Sequence, residues 1–514
     1  MNQGATIATR APAGRRLGAR PPAALALVRC HRARGAIAIM ALVMMAGLIG
    51  FIGLALDLAR VYNRKAELQA VANVAAVAAA RQLNGTAAGV SAAATQAATA
   101  MSALRYQYNQ LPIEWSESAL SFSASPNGGW IDAQAARTAF DGLLYARVDT
   151  LPLGDTMGAV ELFFMQVLSS SLTSAATSAF AVAGRSTIGV APLAVCALSN
   201  TPAAQRANAG PPANVELVQY GFRRGVGYDL MRLNPNDVTA ANFVIDPFSP
   251  PGKAGALANI DPAFVGPYAC TGQLAMPRVL GGAITVGTNF PLAALFNQLN
   301  SRFDLYNGDR CKPLTAPPDT NVRQYTYTAV SPAPAGTPWM SGTPTGQVAQ
   351  STTAGGKLWT VADPLPQPTG TTGAMYGPLW AHARAVPWSS YVAGATEPAA
   401  GYTPFLTSNW GALYGPSAPA ATPSYPSGTS TPYKATSGAT FLAPSTTHPG
   451  VANRRVLNVA LLSCPVGAGP VSPATVLAIG KFFMTVPATA TSVYVEFGGL
   501  ATEQMLGGPV ELYQ

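Results

Sequence analysis

The hydropathy pattern changes character along the chain. From Ala36 to Leu56 it is unbroken: AIAIMALVMMAGLIGFIGLAL is twenty-one residues with no charge and no strongly polar side chain. At about 1.5 Å per helical residue this reaches about 30 Å, the hydrocarbon thickness of a bilayer, and it predicts a transmembrane helix. The helical pattern runs on past Asp57 without Gly or Pro as far as Asn84-Gly85, a C-cap pair. Within it Leu54, Leu58, Val61, Leu68, Ala72, Ala75 and Ala79 fall at helical spacing. They make a narrow face of small side chains that would let another helix approach closely, so a homo- or hetero-oligomer through this helix is expected.

After an Ala/Ser/Thr-rich helical stretch to about residue 104, short alternating or apolar runs between turn residues predict strands. They are Leu120 to Ser125, Leu144 to Val148, Ile188 to Leu198, Val215 to Phe222, Arg455 to Cys464, Ala478 to Val486 and Ser492 to Phe497. Glu161 to Gly184 carries no charge after its first residue, yet it is crowded with Ser and Thr and no basic cluster follows. It therefore predicts a packed helix followed by a strand and not a second span. Residues 330–450 are rich in Pro, Gly, Ser and Thr but hold five of the seven tryptophans, Trp339, Trp359, Trp380, Trp388 and Trp410. Rings among turn residues make candidate binding aromatics; the alternative is that they pin long loops onto a β core.

The fold class expected is therefore α+β: a long N-terminal transmembrane and extramembrane helix, then a β-rich ectodomain with long irregular loops. The divisions are a basic cytoplasmic segment (1–34), a signal anchor (35–60), an Ala-rich helical stalk (61–110), the ectodomain (111–329 and 451–514) and a Pro/Gly/aromatic-rich insertion (330–450).

Charge adds direction. The formal +9 is concentrated at one end, where Arg10, Arg15, Arg16, Arg20, Arg29, Arg32 and Arg34 face no acid, which leaves 24 basic against 22 acidic residues elsewhere. So balanced a body has no broad phosphate-binding field, and no nucleic-acid partner is expected. By the positive-inside rule the arginines hold the N-terminus in the cytoplasm and the rest is exported. The apolar run is longer than a cleaved signal's, and Arg15-Arg16 lies too far from it for a twin-arginine signal, so an uncleaved anchor is expected. Of the five cysteines, Cys30 precedes the run and four follow it. In an oxidising compartment those four predict two disulfides; three pairings exist, and the strand ends at Cys196 and Cys464 favour Cys196–Cys464 with Cys270–Cys311.

Arg34-Gly35, the apolar run, Asp57, Arg60, Tyr62, Leu68-Gln69 and the alanines from Ala72 to Ala80 together resemble the N-terminal signature of TadE/TadG-like proteins of tight-adherence (Flp) pilus assembly. The resemblance covers about 50 residues. It departs at Asn73, where the family pattern has Asp, and at Met40, where processed prepilin-like relatives carry Glu; the latter predicts no cleavage between Gly35 and Ala36. Weaker echoes of long TadG-like ectodomains occur in Ser301 to Tyr306, Pro317 to Val322 and Arg454 to Val459. The family implies a structural role in pilus assembly, with other pilus-assembly proteins and the bacterial inner membrane as partners and a periplasmic or extracellular body. A membrane-anchored adhesion module is the alternative.

Catalytic chemistry has little to stand on. His31, His382 and His448 have no companion ligands at helical spacing, and there is no P-loop, no G-x-S-x-G elbow and no Cys-x-x-Cys pair. The D-x-S-x-S metal motif of many long TadG-like relatives does not occur either. No enzyme activity, metal or cofactor is expected.

Overall fold

A computed structural model of the chain describes residues 34–513 apart from 85, 141, 309, 328–339, 342–347, 396, 416–417 and 419–429. The chain divides into two units, one made of residues up to Asn63 with Ala159–Ala176, the other of Arg64–Gly158 with Thr177–Gln514. Helix α1 (Arg34–Gln82) contributes to both. It ends two residues before Asn84, and α2 (Ala87–Ser102) follows, capped where the Thr86 hydroxyl accepts the Gly89 N–H at 3.0 Å.

In chain order the strands used below are β1 (Leu120–Ser123), β2 (Ile131–Asp132), β3 (Tyr145–Asp149), β4 (Ala159–Glu161), β5 (Ser174–Ala176), β6 (Phe180–Arg185), β7 (Leu193–Cys196), β8 (Gly227–Asp229), β9 (Asn242–Ile245), β10 (Ala283–Thr288), β11 (Val456–Leu462), β12 (Ser472–Met484), β13 (Tyr494–Ala501) and β14 (Val510–Tyr513). The sequence-predicted strands coincide with β1, β3, β11 and β13 to within a few residues; Ile188 to Leu198 encloses the shorter β7, Ala478 to Val486 covers only the second half of β12, and Val215 to Phe222 overlaps the strand Asn214–Gln219.

Within the larger unit, one core lies between helices and an antiparallel sheet of order β14-β6-β3-β1-β2. Leu120 and Phe122, Ala146 and Val148, and Ala181 and Ala183 are paired at two-residue spacing, so each strand turns one face to this core. The helical side is supplied by Leu68, Ala72, Ala75, Ala76 and Ala79 of α1 with Val90, Ala93, Ala97 and Met101 of α2, all buried. Residues 64–102 are thus no free-standing stalk. The small-residue face expected to receive another helix is, from Leu68 onward, already covered by the chain's own side chains, because alanines let helices and sheet pack close enough to exclude water.

The second sheet closes on itself. β7 pairs with β9, β9 with β10, β10 with β12, β12 with β11, and β11 in parallel with β7, so five strands form a ring; β13 and β8 extend it from β12. Both faces are apolar. Leu193, Val195, Val459 and Leu461 belong to one cluster, while Ala194, Cys196, Ala460 and Leu462 belong to the other. Cys196 is bonded to Cys464, 268 positions away, and Cys270 to Cys311. Cross-links of this kind contribute about 2–5 kcal/mol each.

The expected insertion is no appendage. Trp380, Trp410, Tyr376, Tyr414, Phe405 and Tyr433 are buried in the larger cluster beside β11, β12 and β13. Short helical turns and loops carry these rings, and the rings are core.

Three dispersed stretches, 301–306, 317–322 and 454–459, meet at one buried polar cluster. The Asp319 carboxylate accepts the Arg455 main-chain N–H and the Tyr433 hydroxyl, each at 2.9 Å. The Arg455 guanidinium donates to the carbonyls of Met484, Asn321, Arg323 and Thr485 at 2.7 to 3.1 Å, with the Phe303 and Phe483 rings 4.4 Å away. Arg302 donates to the Ala269 carbonyl at 2.9 Å, and Arg454 to those of Cys270, Thr271 and Pro317 at 2.9, 2.6 and 3.1 Å. Burial pulls Arg455 down to about 10, which leaves it cationic at neutral pH. Its fixed fork ties the end of β12, at Met484 and Thr485, to the loop carbonyls of Asn321 and Arg323. Replacing Arg455 by Ala in the full chain is expected to lower stability by about 3–5 kcal/mol in denaturant melts, as for other broken buried charge networks, while Arg105→Ala at the exposed surface stays within about 0.5 kcal/mol.

Candidate functional site

The upstream part of α1 is the longest apolar surface that the described residues leave uncovered. Ile37, Leu42, Met45, Phe51 and their neighbours are more than half exposed, and α1 alone among the described helices is long and apolar enough to cross a membrane. Two residues interrupt this exposure. Gly53 and Asp57, four apart and so on one helix face, are both buried.

What covers them is the segment 159–176. β4 and β5 form a hairpin, and its tip holds one helical turn, α3 (Met165–Leu168), where the sequence predicts a longer helix; the strand expected after it is β6. The Asp57 carboxylate sits at the start of that turn. Its Oδ1 accepts the Phe163 N–H at 3.1 Å, and its Oδ2 accepts those of Phe164 and Met165 at 2.7 and 2.8 Å. The main-chain donors at the start of a helical turn have no partner within it, and an ionised acceptor there makes hydrogen bonds stronger than neutral ones. Arg60, one turn beyond Asp57, lies with its guanidinium carbon 4.5 Å from the centre of the Phe163 ring.

Phe164 lies on Gly53, where a Cβ would come within 2.5 Å of its ring carbons, so the close approach requires glycine. Beyond it, Met165 and Val167 face Ala46, Gly47, Gly50, Phe51 and Leu54 across an apolar cavity of about 420 Å³. Among the described residues no group of three or more His, Cys, Asp or Glu is placed to hold a metal ion.

The other motif residues do different work. Tyr62 is largely exposed, and Leu56 is half exposed at the end of the run that Ala36 begins. Leu68 is buried in the helix–sheet core, and the Gln69 amide donates to the Phe180 carbonyl at 2.9 Å and to the Asn73 side chain at 3.0 Å. Asn73, the departure from the family pattern, thus serves as the acceptor for Gln69.

This helix is where the chain can be related to known proteins. Residues 35–82 match the family model described as putative Flp pilus-assembly TadE/G-like. The TadE/G-like segment therefore coincides with α1 almost from end to end and includes Asp57, Arg60, Leu68 and Gln69. No curated protein and no solved structure matches the chain.

Of the candidate binding aromatics, Trp380 and Trp410 pack edge to face at 4.8 Å inside the core, and the Trp380 ring N–H donates to the Tyr414 hydroxyl at 2.8 Å. Trp359 is half-buried, with its N–H bonded to the Ala354 carbonyl at 3.2 Å; Trp388 is half-buried beside Tyr391; Trp339 lies outside the described residues. The four described ones form no shared exposed surface.

Sequence reasoning missed the docking of 162–167 on Gly53 and Asp57. The signal was present: an acid placed directly after an apolar span needs hydrogen-bond partners, and Leu162-Phe-Phe-Met is an apolar, uncharged hairpin tip. Asp57→Ala removes the acceptor for three N–H groups, each worth about 1.5–3 kcal/mol when the partner is charged. In detergent, proteolysis between residues 162 and 173 is expected to accelerate in Asp57→Ala while the melting temperature of the larger unit stays unchanged; equal cleavage in both proteins would remove Asp57 from this role.

Proposed function

We propose that the protein is a structural component of a Tad/Flp-type pilus assembly apparatus in the bacterial envelope. The observation that carries this reading is the TadE/G-like match on residues 35–82, which falls on the one candidate membrane helix among the described residues. In this reading the apolar run anchors the chain in the inner membrane. The seven arginines before it hold the N-terminus in the cytoplasm, and the body with its two disulfides works in the periplasm or beyond. The role is one of packing and holding, without catalysis: α1 contacts other membrane proteins of the machine, and the body holds a partner on the outer side.

Deleting the gene in a piliated cell is expected to abolish surface pili seen by electron microscopy, and the full chain is expected to restore them. Normal piliation with lost surface attachment would instead favour an adhesion module. Removing residues 330–450 cannot separate these readings, because Trp380 and Trp410 are core; Trp388→Ser with Tyr391→Ser, at a half-buried ring pair, is the cleaner probe of adhesion.

A further inference from the structure

The proposed anchoring leaves the 162–172 hairpin tip unexplained, because it turns apolar side chains outward. Phe163 is 58% exposed, Phe164 40%, Val167 85% and Leu172 37%. Single exposed hydrophobics are ordinary on a soluble surface, but four on one short tip are not.

We propose that this tip is a second membrane attachment: it dips into the leaflet on the C-terminal side of the span, with lipid acyl chains around Phe163, Phe164, Val167 and Leu172, and the Asp57 carboxylate positions it there. The inference rests on the reading of residues 36–56 as a membrane span.

Three observations carry it. The first is depth. Phe164 sits at Gly53, three residues inside the apolar run, and Met165 and Val167 share a cavity with residues as far back as Ala46. Ala46 lies about 15 Å from the end of the run by helical rise, half the hydrocarbon thickness. A tip packed along a lipid-facing helix at that level shares its solvent.

The second is hydrogen bonding. Irregular backbone survives at membrane depth only if its polar groups are satisfied within the protein, a demand that water does not make. At least eight of the eleven main-chain N–H groups from Leu162 to Leu172 have an acceptor within the protein. Phe163, Phe164 and Met165 donate to Asp57, Leu162 to Thr173, Val167 to Phe164, Ser169 to Met165, and Ser171 and Leu172 to Ser169. The Gln166 amide turns back onto the Leu162 carbonyl at 2.6 Å.

The third is charge. No charged residue occurs between Glu161 and Arg185, and the cation nearest the tip, Arg60, stacks on Phe163 at the end of the run, where a long cationic side chain reaches the headgroups.

The test uses the full chain with Cys30→Ser, which leaves the four disulfide-bonded cysteines, and one added cysteine at Met45, Val167 or Leu314. Each is spin-labelled and reconstituted in phosphatidylethanolamine/phosphatidylglycerol vesicles. Collision with lipid-soluble oxygen is compared with collision with a water-soluble nickel chelate. Leu314 is 91% exposed on the body and serves as the water reference. Labels at Val167 and Met45 are expected to favour oxygen, and the label at Leu314 the chelate. With Asp57→Ala added, the Val167 label is expected to shift to the Leu314 value while Met45 stays in lipid.

A Val167 label that favours the chelate while Met45 favours oxygen overturns the inference and spares the anchor. Met45 in water overturns the anchor itself. A Val167 label shielded from both probes means that protein covers the tip, and this too overturns the inference. A Val167 label that stays in lipid without Asp57 overturns the positioning role of the carboxylate.

Discussion

Twenty-one uncharged residues, covered by protein along one narrow side where a hairpin tip lies on Gly53, set the terms for this molecule. Largely exposed apolar side chains in such number are untenable in water at about 25 cal/mol per Å², and the helix that carries them has no polar stripe through which to face solvent. Lipid is the medium that removes the penalty. That choice turns the next residue, Asp57, into a problem of its own, because a carboxylate at the edge of hydrocarbon must be solvated by something. Here it is solvated by three main-chain N–H groups of a hairpin tip that lies on Gly53.

The larger unit solves a different problem with different means. Its helices approach its first sheet through alanines, and its ring-shaped second sheet has apolar clusters on both faces. Much of the remaining chain is loop, rich in proline and glycine, which a sheet ladder cannot tie together. Buried arginines take that place. Arg455, Arg454 and Arg302 donate to carbonyls of loops, of the end of β12 and of the last turn of the helix Pro262–Thr271, and Asp319 fixes the main chain of Arg455, so residues 301–322 and 454–459 share one polar centre beside the Cys270–Cys311 disulfide.

The pattern of the sequence revealed those parts whose physics is local. The unbroken run from Ala36 marked the apolar part of α1, and period-two runs marked β1, β3, β11 and β13 within a few residues. The TadE/TadG resemblance, read from Arg34-Gly35 to Ala80, coincides with the matched segment. What was not legible depends on partners distant in sequence. Asp57 reads as an interfacial charge until Phe163 to Met165 arrive from 106 to 108 residues away. Trp380 and Trp410 sit among turn residues and look like surface rings, because nothing local shows that β11, β12 and β13 pack over them. The alanines of α1 invite a foreign helix by their spacing, and the chain's own α2 and sheet occupy that face.

The account turns on α1 being threaded through a bilayer with the arginine-rich end and the body on opposite sides. Protease added to intact spheroplasts of cells making the full chain measures this most directly. The account predicts that the body is digested from outside while an N-terminal fragment containing residues 1 to about 60 stays in the membrane and resists alkaline carbonate. A body protected until the spheroplasts are lysed, or a full chain released by carbonate, would contradict it.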